Sequence, residues 1–77
     1  MPKPKSFTAW LMTHAEHRNA IGDLARDVST DPDWPSHKGR QGQLAYLEEC
    51  GAIDAAIETF ERAWTQYDAY RAAQSDG

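Results

Sequence analysis

The chain has a single cysteine, Cys50, among 77 residues, so no internal disulfide can form and a reducing compartment is expected. It also lacks an apolar run near the roughly 18 residues needed to span a membrane, and its opening MPKPK is not followed by the apolar core of a signal peptide. Basic charge is scarce: eight Lys and Arg stand against twelve Asp and Glu, a net charge of −4. That balance argues against a dedicated nucleic-acid binder, whose footprint is a basic excess. There is no glycine-rich phosphate loop, no nucleophile elbow and no pair of catalytic carboxylates, so neither enzymatic activity nor a cofactor is expected. No run of alternating β-branched and polar residues points to a strand, and no repeat or linker divides the chain. What remains is one soluble, cytoplasmic, all-α domain.

The longest helical pattern runs from Asp54 to Ala73. Ile53, Ile57, Phe60, Trp64 and Tyr67 recur in steps of four and three, which places them on one stripe of a helix that needs a partner surface. Asp54 reads as its N-cap, and Gly51 as the left-handed residue closing the helix before it. Asp54, Glu58, Glu61, Arg62, Asp68 and Arg71 lie mainly on the other faces, with Glu58 and Arg62 spaced as an i, i+4 ion pair.

Three shorter helices precede it. Ser6 caps a first one carrying Phe7, Trp10, Leu11 and His14 on one face and ending near Ala15. Asn19 caps a second, with Ile21, Leu24, Ala25 and Val28 inward and Asp23, Arg26 and Asp27 outward. Pro32 and Pro35 stop it, and Trp34 between them folds back onto the core. Residues 36–42, SHKGRQG, give the third helix a poorly specified start; from Gln43 onward Leu44, Leu47 and Cys50 face the core, with Tyr46 at its edge. Residues 1–5 form a disordered arm, 6–73 the domain and 74–77 a frayed tail.

Few residues carry chemistry. His14 and His17 are spaced to approach one ion, but no further Cys or His is near in sequence, so a helix end with one half-buried and one exposed histidine is expected. Cys50, between Glu49 and Gly51, reads as a small core residue rather than a nucleophile. Asp27, Asp31 and Asp33 match no calcium loop, and Asp31 reads as a turn residue. Asp23, Asp27 and Asp31, four residues apart, form a solvated acidic stripe or a docking stripe. Trp10 and Trp64 read as core rather than as an aromatic cage.

The segments SFTAWL, GDLARDVSTDPDWP, AYLEE and FERAWTQY, in that order and spacing, strongly resemble the small bacterial YozE-like family, over Ser6 to about Tyr70. The resemblance implies a compact four-helix, sterile-alpha-motif-like (SAM-like) domain with a long final helix. It brings no established activity and no catalytic, cofactor or metal residues, and fold likeness alone does not carry function. Where an aromatic and an acidic residue are expected to open the third helix, this chain has Arg40 and Gly42.

The resulting expectation is a non-catalytic protein-interaction domain binding an unidentified protein or itself, with Lys38 and Arg40 on one side and Glu48, Glu49 and Glu58 on the other. The alternative is weak nucleic-acid binding through the basic loop 37–40 and the N-terminal arm. A metal-dependent activity at His14 and His17 ranks last.

Overall fold

The computed structural model describes residues 4–75, and among them are four helices and no strand. Helix α1 is Phe7–Met12, α2 Ala20–Ser29, α3 Arg40–Glu49 and α4 Asp54–Ser75. The expected all-α, four-helix architecture with a long last helix is what the chain adopts. Each of the other three helices packs against α4; α1 also packs against α2, whereas among the described residues α3 approaches no helix but α4 closely.

Local chemistry sets most boundaries. The Ser6 hydroxyl accepts from the Ala9 amide at 3.2 Å, and Asn19 Oδ1 accepts from the Gly22 amide at 2.8 Å, so both expected N-caps are present. Helix α1 stops at Met12 rather than Ala15. There the ladder tightens to three-residue steps, with the amides of Thr13, His14 and Ala15 bonded to the carbonyls of Trp10, Leu11 and Met12, and the Thr13 hydroxyl donating to the Trp10 carbonyl at 2.6 Å. At the end of α3 the amides of Gly51 and Ala52 bond back to Glu48 and Leu47, a Schellman closure that requires the left-handed φ of +76° found at Gly51.

The core is aromatic and centred on Phe7. Its ring stacks on Trp64 at 4.4 Å between centroids and meets Phe60 and Tyr67 edge to face at 5.8 and 5.6 Å. Such ring pairs add about 0.5 to 1.5 kcal/mol beyond the area they bury. Ile21, Leu24, Ala25 and Val28 close one side from α2, all buried as their spacing predicts. Trp34 does fold back from its turn; it lies edge to face with Phe60 and donates its indole N–H to the Thr8 hydroxyl at 3.1 Å.

The corner between α3 and α4 departs from expectation. The Ile57 amide bonds to the Ile53 carbonyl at 3.1 Å, so Ile53 precedes the helix as its cap and Asp54 is the first helical residue, where its charge still suits the helix dipole. A capping residue leaves the helical stripe because its backbone is not helical. Ile53 is accordingly 71% exposed instead of buried, and the stripe proper runs through Phe60, Ala63, Trp64 and Tyr67, with Ile57 half-buried. Cys50 is exposed too; it is the C-cap of α3, beyond Leu47, where no element covers the helix end.

The terminal expectations fall partly on residues 1–3 and 76–77, outside the described residues. Within them, Lys5 is held at both backbone groups, its carbonyl accepting from the Tyr67 hydroxyl at 2.7 Å and its amide donating to the Tyr70 hydroxyl at 3.1 Å. Helix α4 extends to Ser75, two residues past Ala73.

Candidate functional site

The basic loop is built by a buried amide. Gln43 is fully buried and donates through Nε2 to the carbonyls of Lys38, at 2.9 Å, and Pro35, at 3.3 Å, while its Oε1 accepts from the Trp64 indole at 3.1 Å. One side chain therefore satisfies three polar groups that packing would otherwise leave without partners. It holds loop 35–39 against α4. Nothing in the hydropathy pattern marks Gln43; only its place four residues before Leu47 on the inward face of α3 could have done so.

Arg40 and Lys38, expected to act together, are separated by this arrangement. The Arg40 guanidinium is only 33% exposed; it forks onto the Glu61 carboxylate with Nε and Nη2, and Nη1 lies 4.0 Å from Asp68. Arg40 thus ties α3 to α4. Lys38 is exposed, its stem lying along Gly42, and makes no ion pair among the described residues. His37 is exposed beside it.

The acids lie differently. Glu48, Glu49, Asp54 and Glu58 are all exposed around the α3–α4 corner, none of them in an ion pair among the described residues. The expected Glu58–Arg62 pair is not formed; a spacing of four permits such a contact without enforcing it. No Lys or Arg occurs between Arg40 and Arg62, so acids predominate at this corner, although Glu49 also lines a depression with His37 and Lys38; Ile53 stands exposed among them.

The acidic stripe is broken. Asp23 pairs with Arg26, whose guanidinium also donates to the carbonyls of Ala15 and His17 and so fixes the α1–α2 turn. Asp31 lies past the end of α2, where Oδ1 accepts from the Asp33 amide at 3.0 Å, the turn role expected of it, and Oδ2 accepts from the Tyr46 hydroxyl. That bond to Asp31, with burial and a lesser contribution from Cys50, pushes the Tyr46 phenol well above its ordinary range. Asp27 makes no ion pair among the described residues.

His14 is half-buried and His17 exposed, their rings edge to face at 4.9 Å. His14 Nδ1 lies 3.2 Å from the Trp10 carbonyl, and no group of three His, Cys, Asp or Glu gathers around a common point among the described residues. Among them, too, no helix is long and apolar enough to cross a membrane.

Comparison with known proteins agrees with this architecture. A UPF0346 protein of Leuconostoc mesenteroides subsp. mesenteroides is 31% identical over 70 residues, covering 87% of this chain and 93% of that relative. No solved structure matches the chain significantly. The profile of the YozE SAM-like fold matches residues 6–69, a span that takes in α1, α2, α3 and most of α4. With four helices in that span and a relative aligned over nearly its whole length, the chain belongs to the YozE SAM-like family.

Proposed function

We propose that this protein is a non-catalytic interaction domain that binds a second protein through its acidic α3–α4 corner. The observation that carries the reading is Ile53, a large apolar residue 71% exposed in a corner whose exposed acids, Glu48, Glu49, Asp54 and Glu58, are left without ion pairs among the described residues. Clustered like charges cost folding energy, and their field accelerates encounter with an oppositely charged partner. An exposed aliphatic side chain at the centre of such a field supplies the apolar contact that encounter alone lacks. The partner therefore carries basic residues around an apolar patch. It is a different protein rather than a second copy, because among the described residues the cations are engaged within the chain, as Arg26, Arg40 and Arg71 are, or dispersed along it, as Lys5, Arg18, Lys38 and Arg62 are. Engagement of Arg40 by Glu61 and Asp68 also takes from loop 37–40 the strongest cation that nucleic-acid binding would use.

The test is affinity capture with the full chain from lysate at roughly 0.1 M salt, where surface charges are only partly screened, with and without nuclease. A stoichiometric protein that survives nuclease and is lost with the triple variant Glu48→Lys, Glu49→Lys, Glu58→Lys supports the reading. Recovery abolished by nuclease would shift the assignment to nucleic acid.

A further inference from the structure

Two apolar depressions lie next to each other between α2 and the N-terminal end of α4. One, of about 250 Å³, is lined from α2 and the start of α4 with Ile53 at its edge; the other, of about 240 Å³, extends to Trp34 and Leu47. Both border on Leu24, Asp27 and Ala56, so they lie side by side along one groove between α2 and α4. Each is smaller than the roughly 300 to 1,000 Å³ of a typical small-molecule site, a size suited to single side chains of a docked segment. The charge of the lining has one sign: Asp23, Asp27 and Asp31 contribute carboxylates and no Lys or Arg takes part. Asp23 and Asp31 are engaged by Arg26 and Tyr46, which leaves the exposed Asp27, common to both depressions, as the acid without an ion pair among the described residues.

We infer that this groove receives an amphipathic helix of the partner, with apolar side chains in the two depressions and a Lys or Arg against Asp27. This rests on the interaction reading above and identifies the recognised element. The occupant brings its own hydrogen-bonded backbone because the groove runs between helices: no strand edge exists among the described residues to pair with an extended peptide. Its basic residues match the acid at the groove, and its apolar ones cover Ile53.

The experiment is a titration of the isotope-labelled full chain, followed by amide chemical shifts, with a synthetic helical peptide carrying leucines at i, i+3, i+4 and i+7 and lysines along both flanks. Saturable shifts at Leu24, Ile53 and Ala56 are expected, with affinity about tenfold weaker for Asp27→Lys, which removes one ion pair and adds a repulsion of similar size. Asp27 is exposed outside the core, so that variant keeps the fold, as its unperturbed core resonances would verify. A peptide with glutamates in place of the lysines should not bind. The inference is overturned by absence of binding up to about 1 mM, by shifts confined to another face, or by equal binding of the glutamate peptide. Its failure is separable from that of the interaction reading: a captured protein partner lost with the Glu48→Lys, Glu49→Lys, Glu58→Lys triple variant yet indifferent to Asp27→Lys removes the groove and leaves the interaction domain standing.

Discussion

The Trp64 indole donates to the amide oxygen of Gln43 at 3.1 Å, across 21 positions of sequence, and the same amide donates to the Lys38 and Pro35 carbonyls. Among the described residues helix α3 approaches only α4 closely, and the one residue it buries fully is this glutamine. Its attachment is part apolar, through the half-buried Leu44, Tyr46 and Leu47 packed against the core, and part polar. Gln43, Arg40 and Tyr46 each tie α3 to a different place: Trp64 and the loop, Glu61 with Asp68, and Asp31.

Replacing Gln43 with Leu retains much of the volume and strands the Trp64 N–H and two carbonyls. Each buried group left unpaired costs about 1 to 3 kcal/mol, so a loss of at least about 2 kcal/mol in urea unfolding is expected. A double-mutant cycle with Trp64→Phe should return a coupling above about 0.5 kcal/mol. Additive losses would mean that the indole and the amide act independently.

Gly22 is where the α1–α2 turn touches α2. A Cβ there would lie 1.9 Å from the His17 carbonyl oxygen and 3.0 Å from that of His14, both backbone atoms that cannot swing aside. Gly22→Ala should destabilise by about 2 to 3 kcal/mol despite the better helix propensity of alanine. Gly39→Ala, where nothing lies within 4 Å, should change stability by less than about 1 kcal/mol. Similar thermal midpoints for the two variants would contradict the close approach.

Arg40→Met should cost about 0.5 to 1 kcal/mol, because its partners Glu61 and Asp68 are 38% and 45% exposed and water screens the pairs. The loss should shrink in concentrated salt. Partner capture should be unchanged by this variant. A variant that folds as stably as the parent yet captures nothing would return Arg40 to the binding surface.

Ile53→Ser should leave stability within about 0.5 kcal/mol, since the side chain is already in water. Phe60→Ala, by contrast, should cost about 3 to 5 kcal/mol, close to the whole stability of a domain this small. Calorimetry of the two separates the surface role of one from the core role of the other.

Tyr46 predicts the alkaline limb of stability. Below the ordinary phenol value of about 10, the phenol is protonated in both states and contributes no slope. Above it the unfolded phenol ionises while the folded one, held by Asp31, keeps its proton, so stability falls as pH rises through the raised folded value. Unfolding measured from pH 9 to about 11.5 should show a shallower fall for Tyr46→Phe than for the parent. Parallel curves would show that this phenol is not raised.

Much of the fold was legible without coordinates. The inward face of α2, the caps at Ser6 and Asn19, the Gly51 corner and the return of Trp34 all follow from periodicity or from bonds that span a few residues. The candidate surface was legible only in part. Glu48, Glu49 and Glu58 are exposed, as charged residues away from an apolar stripe generally are, but proximity in sequence sets Arg40 beside Lys38 while its charge is spent on α4.

Local pattern was thus sufficient for the four helices, the inward face of α2 and the family, because a helix period and a cap are read from neighbours in the chain. Tertiary packing alone decided that Gln43 is interior, that Arg40 is an internal tie and that Ile53 and Cys50 are exposed. The physical reason is the same in each case. Gln43 and Arg40 find partners 21 residues away, and Ile53 and Cys50 lose the cover their spacing predicts because they sit at helix ends, so which groups meet depends on how α3 and α4 dock rather than on either helix by itself.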